Sequence, residues 1–278
     1  MRKVLVLVAI LSVGAGAVRG DEADARYRAA VALKEQGKTD DAIAELEAAV
    51  RERPGFFMAW NTLGILYKKR GAATDRDKAV DALEHAVKLQ PNEPNAQANL
   101  GMAYFRAGRD DEALRALETA ARLDPKNADV HANIGEIRKK KGDLAGAITE
   151  LETADRLRPG DAQTLSNLGN AYAKARRYDE AIAVHRRAIG LHPENATFHF
   201  NLAATLRRKE QVDAAIVEYK EAVRLDPSMA EAWYDLGVMY RQNRDNANAV
   251  EAFQRYLELT KDTRVEADIK ALGGTPRK

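Results

Sequence analysis

The chain contains no cysteine. Its absence excludes disulfides, thiolate metal centres and cysteine nucleophiles, and also the cysteine-linked lipid anchor of a bacterial lipoprotein. Histidine is scarce: there are five, and neither His-Glu-x-x-His nor Gly-x-Ser-x-Gly occurs. No cofactor is therefore expected. A concentrated charge of one sign is missing as well. The 44 basic and 42 acidic residues are interleaved along the chain, as solvated helix faces require. That balance argues against a nucleic-acid partner, which would call for a basic face. Beyond residue 20 no long apolar run remains.

The first twenty residues are of a different composition. Arg2 and Lys3 form a basic start, Val4 to Val13 is apolar apart from Ser12, and Gly14, Ala15, Gly16 and Ala17 are small. This is the layout of a secretory signal peptide, with cleavage expected after Ala17 or Gly20. The apolar run is well short of the roughly 20 residues that span a bilayer core. Removing Arg2, Lys3 and Arg19 from the 44 basic residues leaves one fewer than the 42 acidic ones. A periplasmic or secreted bacterial protein is expected.

From Ala23 the chain repeats. Alanine returns every 34 residues at Ala113, Ala147, Ala181, Ala215 and Ala249. A second register runs Leu100, Ile134, Leu168, Leu202, Leu236, each followed by Gly or Ala, and a third runs Pro91, Pro125, Pro159, Pro193, Pro227. A fixed period in this range belongs to stacked arrays in which no repeat is a domain by itself. Seven repeats are placed at 23–56, 57–93, 94–127, 128–161, 162–195, 196–229 and 230–263. In the third, Leu100, Ala103 and Tyr104 share one helix face, Gly108 ends that helix, and acidic Asp110 to Glu112 begin a second one. Pro125 terminates the second helix. Three extra residues within Ala72 to Thr74 lengthen the turn of the second repeat, where Thr74 and Asp77 are expected to form a capping pair. Val265, Ile269 and Leu272 share one face of a final helix, 264–272, expected to cap the array, and 273–278 is expected to be loose. This frame separates His185, His192 and His199: they fall in a second helix, a loop and the next first helix.

The series Trp60, Leu63-Gly64, Tyr67, Ala79, Leu83, Ala86, Pro91 resembles the tetratricopeptide repeat, as does Trp233, Leu236-Gly237, Tyr240, Ala249, Phe253. The resemblance covers nearly all of the chain after the leader. It implies an all-α fold, a right-handed superhelix of helix pairs whose first helices line a concave surface. The departures are Arg26, Ala29, Ala30 and Leu33 in the first repeat, Arg138 at the place of the core Tyr in the fourth, and Tyr256 and Lys261 in the last.

Binding is the expected chemistry, and no enzyme activity is expected. Asn99, Asn133, Asn167 and Asn201 recur every 34 residues just before the Leu/Ile-Gly/Ala pair. That pair faces the partner helix, so each Asn lies about 100° round, toward the concave side. A carboxamide both donates and accepts, so such a ladder suits the backbone of an extended peptide. The resemblance implies the same use, since the repeat array of the O-GlcNAc transferase holds protein substrates with an asparagine ladder. Lys69, Arg106, Lys140, Lys174 and Arg208 occupy one place near the end of five successive first helices, and Lys68, Lys139, Arg207 and Arg241 precede four such places. If they line the groove they favour an acidic partner segment. Met102, Phe105, Phe200 and Tyr234 are the apolar anchors expected there. The co-chaperone clamp for a C-terminal carboxylate is absent, because Ser166 stands at its Lys place and Glu231 and Asp235 stand where it needs cations. The expected function is a scaffold for a protein or extended peptide, within a bacterial envelope assembly. The alternatives are a regulatory or substrate-recruiting subunit of an envelope enzyme complex, and a self-assembling homo-oligomer.

Overall fold

The computed structural model describes residues 22–276, and among them every regular element is helical. The expected signal peptide, 1–20, lies outside the described residues. The chain divides into two compact units, Met1–Ile137 and Arg138–Lys278. The first unit contains α1 (22–35), α2 (Thr39–Glu52), α3 (Phe57–Arg70), α4 (Asp75–Leu89), α5 (Pro94–Arg106), α6 (Asp110–Leu123) and most of α7 (Ala128–Lys141). The second contains α8 (Leu144–Leu157), α9 (Ala162–Lys174), α10 (Tyr178–Leu191), α11 (Ala196–Arg208), α12 (Val212–Leu225), α13 (Ala230–Gln242) and α14 (Asn246–Thr260). It ends in a 3-10 turn, Thr263–Val265, and α15 (Glu266–Ala271).

Helices of 13 to 15 residues are marginal alone, so each depends on its neighbours. Paired helices meet at a small residue, glycine in most pairs and alanine at Ala30 and Ala203. A β-carbon on Gly64 would lie 2.4 Å from Leu83 Cγ, and one on Gly101 would lie 2.6 Å from Leu117 Cγ. The leucine of the second helix thus rests directly on the backbone of the first. Tyrosine then ties one hairpin to the one before it. Tyr104 Oη donates to Glu84 at 2.7 Å, Tyr67 donates to Glu47, and Tyr172 to Glu152. Burial and the adjacent carboxylate push the Tyr104 and Tyr172 hydroxyls up to about 12. Arg138, at the place of a tyrosine, puts its guanidinium 3.9 Å from both Asp143 and Glu150. Arg26, at an aromatic place, donates to Glu22, Glu45 and Glu52 and so fastens α1 to α2.

A further device recurs in the loops between hairpins. Six residues after a proline, a side-chain N–H meets that proline's carbonyl: Trp60 on Pro54 at 2.8 Å, Gln97 on Pro91 at 2.8 Å, and Trp233 on Pro227 at 2.9 Å. His131 Nε2 and His199 Nε2 stand 3.1 and 3.2 Å from the Pro125 and Pro193 carbonyls. A carbonyl only accepts, so Nε2 carries the proton in both. Indole, carboxamide and imidazole do one job here, and two of the five histidines are thereby structural. Leu165, six residues after Pro159, breaks the series.

The lengthened turn after α3 is closed differently from the expectation. Thr74 makes no capping bond, because at φ −90° and ψ −4° it is already helical rather than extended. Asp75 does the work instead. It is 1% exposed, takes a two-pronged bond from Arg70 (2.8 and 2.5 Å), and accepts from the Ala72 N–H at 2.8 Å. Its carboxyl is held below the usual range chiefly by Arg70. At the far end, Val265 and Ile269 bury themselves against Ala249, Phe253 and Leu257. The stretch after Leu272, expected to be loose, is pinned as far as Thr275: Gly274 N donates to Ile269 O at 2.8 Å, and Gln254 Nε2 donates to Thr275 O at 2.9 Å.

Two predictions follow from exceptions to the repeat. The turn between paired helices holds a left-handed residue that is Gly37, Gly108 or Gly142 in three hairpins but Arg176, Glu210 or Arg244, at φ 61°, 61° and 59°, in three others. Changing each of these three to Gly should raise stability by about 0.5–1 kcal/mol, read as a higher melting temperature. The second exception is His185, at the place of Leu83, Leu117 and Leu151. It is wholly buried, neither ring nitrogen has a partner, and burial pushes its pKa down from 6.5 to about 4. The folded value lies below the unfolded one, so the stability of the neutral ring is complete above pH 6.5 and is lost as pH falls toward 4. The denaturant midpoint should drop between pH 7 and pH 5 by an amount equivalent to ~2 kcal/mol, and His185→Leu should abolish that part of the drop.

Candidate protein-binding face

The first helices of successive hairpins lie side by side, α3 on α5 in the first unit and α9 on α11 in the second. Lys69 and Arg106 are exposed on α3 and α5 of the first unit; in the second, Lys174 and Arg208 are exposed on α9 and α11, and Lys140 at the end of α7. The asparagine places lie deeper. Asn99 Nδ2 donates to Asn61 Oδ1 at 3.4 Å, and its own Oδ1 accepts from Lys68 Nζ at 3.3 Å. Asn167, 7% exposed, accepts from Lys139 Nζ at 2.7 Å. Asn201 Nδ2 donates to Ser166 Oγ at 3.2 Å, and Asn133 is half-buried.

These contacts form a pattern. A cation one place before the exposed basic series reaches forward to the asparagine place of the following repeat. Lys68 does so to Asn99, Lys139 to Asn167, and Arg207 to Asp235 at 3.0 Å. Arg241 continues it onto the cap, donating to Asp268 at 2.5 Å. Phe105 and Ala173 occupy that place in the two skipped repeats, so the bridge alternates. Asp235 also accepts from Tyr219 Oη at 2.9 Å. The carboxamide row thus serves first to join neighbouring helices.

The expected apolar anchors separate. Met102 and Phe105 are partly buried against the cluster built of Ala113, Leu117, Ala120, Val130, Ile134 and Ile137 and belong to the core edge. Phe200 lies edge-on to Tyr219 with centroids 5.8 Å apart. Tyr234 is 39% exposed, the one exposed aromatic among the described residues.

In the first unit, α3, α4 and α5 enclose a cavity of about 220 Å³ beside the lengthened turn. Lys68, Arg76 and Arg106 face it. Its one carboxylate, Asp75, is already neutralised by Arg70. Burial and the nearby Arg106 hold the Lys68 ammonium below its ordinary value. Arg106 Nη1 donates to the Lys68 carbonyl at 2.7 Å, which fixes the second cation in place. Sequence reasoning missed Arg76, because its approach to Lys68 depends on the inserted turn. Among the described residues no group of three or more His, Asp or Glu is placed to hold a metal ion, and no helix is long and apolar enough to cross a membrane.

Helical hairpins with this period, glycine contact and loop chemistry define a tetratricopeptide repeat protein. The chain belongs to the family whose model is described as the cilia and flagella-associated protein 70 C-terminal domain, matched over residues 6–232; a tetratricopeptide repeat model also matches residues 205–262. The peroxisomal targeting signal receptor of Saccharomyces cerevisiae is 32% identical over 85 residues, 30% of this chain. The match spans only 13% of that receptor's length. Among solved structures, MamA from Desulfovibrio magneticus RS-1 is 26% identical, with a TM-score of 0.57, covering 60% of this chain and 95% of that one. YrrB, a tetratricopeptide repeat protein with an unusual peptide-binding site, is 20% identical with a TM-score of 0.58, covering 69% and 99%. The C-terminal part of a repeat protein from Cytophaga hutchinsonii is 19% identical with a TM-score of 0.71, covering 87% and 98%. The last two likenesses are of fold.

The Arg207–Asp235 bridge is open to a direct test. Both side chains are substantially covered, at 35% and 13% exposed. A double-mutant cycle with Arg207→Ala and Asp235→Ala should give a coupling of about 1–2 kcal/mol, and Asp235→Ala should be the costlier single change because it also orphans the buried Tyr219 hydroxyl. Urea unfolding of the four proteins measures both.

Proposed function

We propose that the protein is a non-enzymatic scaffold that holds an extended acidic segment of a partner polypeptide against the first helices of its amino-terminal unit. The observation that carries this is Lys68. Its ammonium is half-buried, its partner is a neutral carboxamide, and the other cations on the same cavity, Arg76 and Arg106, have no free carboxylate there to balance them. A partly desolvated cation without an anion is stabilised by one, and a carboxylate from a partner satisfies it with charge-assisted bonds. Exposed Lys69 continues the positive edge. The repeat fold supports the reading, since it presents a row of parallel helices suited to an extended chain.

A fluorescently labelled acidic peptide of about eight residues should bind the full chain with a Kd of roughly 1–100 µM and weaken as salt rises. The variant Lys68→Met/Arg76→Gln/Arg106→Gln should lose at least tenfold. Saturable binding that the variant leaves unchanged, or equal binding of a basic peptide, would defeat the reading. Asn133→Ala tests the carboxamide row separately: unchanged affinity removes that residue from the groove.

The envelope location is part of the same proposal. Its support is the basic start, apolar run and small residues of 1–20. N-terminal sequencing of the exported protein should begin at Val18 or Asp21, and a Met1 start would refute cleavage.

A further inference from the structure

We infer that the carboxyl-terminal unit holds a second site, of opposite sign, that takes a lysine or arginine side chain of a partner polypeptide. A cavity of about 440 Å³ opens where α11, α13 and α14 meet the 3-10 turn and α15. Two tyrosines form its wall. The Tyr234 and Tyr256 rings lie 5.3 Å apart with their planes at 55°, so they enclose a corner rather than a flat stack. Tyr256 is held in place from the lining itself, its hydroxyl donating to Asp262 at 3.0 Å. Tyr234 is backed by Phe253 at 5.8 Å, leaving its other side open to solvent.

The charge on this cavity decides its occupant. Of its four carboxylates, Asp235 is matched by Arg207, Asp268 by Arg241 and Asp262 by Arg264. Glu231 has no such partner. It stands on α13 three and four residues before Tyr234 and Asp235, so all three share one helix face. The one cation on the lining, Arg264, is 87% exposed and rests on Asp262 at the mouth, so the interior keeps a net negative charge. An anion would meet that charge. An apolar side chain would cover Glu231 and the Tyr234 face without satisfying the carboxylate. A cationic side chain satisfies both, its head on Glu231 and its stem or guanidinium plane on the tyrosine rings. Open walls along a helix row suit a side chain carried on a polypeptide better than a free amine. None of this depends on the acidic-segment site, which lies on other residues of the other unit.

The test uses three small probes on the full chain labelled at tyrosine, followed by NMR: N-acetyl-arginine methylamide, N-acetyl-lysine methylamide and the neutral norleucine analogue. The cationic probes should shift the Tyr234 and Tyr256 ring signals saturably, with a Kd on the order of 1 mM. Norleucine should not. Glu231→Gln, a surface change, should weaken the cationic probes at least fivefold while leaving the spectrum otherwise native. Tyr234→Ala should weaken them with no change in the response of unit one to the acidic peptide. Equal shifts from norleucine, no saturable shift from either cation, or unchanged binding in Glu231→Gln would each overturn the site.

Discussion

In the α3–α4 and α5–α6 pairs the helices approach until the glycine of one leaves no room for a β-carbon beside the leucine of the other. Gly64 against Leu83 and Gly101 against Leu117 set the spacing within a hairpin to a fraction of an ångström. Ala79 and Ala113, whose carbonyls lie against Gly64 and Gly101, complete that contact, while a second alanine series, Ala86, Ala120, Ala154, Ala188 and Ala222, is buried near the end of the second helix, where Ala188 joins Phe198 of the next hairpin. The loop must then close at a constant length, which is why a proline carbonyl finds an N–H donor six residues on in five loops out of six. The repeat is therefore set by a contact distance, and the rest of the sequence accommodates it.

Polar bridges between hairpins follow from the same constraint. With the helices held at fixed spacing, a lysine or arginine near the end of one first helix reaches the middle of the next. Lys68, Lys139 and Arg207 all do so, and each lands on the asparagine place. Where the acceptor is Asp235 the pair is an ion pair, and the charge is balanced. Where it is Asn99 the acceptor is neutral, and a positive charge is left over at the surface of the array. The choice between asparagine and aspartate at one place thus sets the local sign of the face that the first helices present.

The sequence made the helix pairs, their terminators and their core registers legible, because these recur as residue types at one spacing. Side-chain chemistry shared by unlike residues did not show. Trp60, Gln97, His131, His199 and Trp233 look unrelated until the structure shows that each offers an N–H to a proline carbonyl. The forward bridges were equally hidden, since they join residues 28 or 31 apart on different helices and only every second repeat has them. At the inserted turn the capping pattern pointed to Thr74 and Asp77, but a buried carboxylate between them, Asp75, gains more from Arg70 and the Ala72 N–H than a hydroxyl cap gains at the helix end.

Function in such a chain is best sought where the period fails. Inside the regular repeats several polar groups meet a partner supplied by the next copy, as Lys139 meets Asn167 and Arg207 meets Asp235. Two places depart from that pattern. Three extra residues at 72–74 open a cavity in which Lys68, Arg76 and Arg106 outnumber the carboxylates available to them. Beside the short carboxyl-terminal cap, Tyr234, Tyr256 and Glu231 line the second cavity. On the proposed reading, irregularities of these two kinds serve binding, whereas the glycine and leucine positions serve folding. Substitutions at Arg76 and Glu231, which make no interhelical bond among the described residues, should therefore change affinity at constant stability, whereas those at Gly64, Leu83, Gly101 and Leu117 should change stability first.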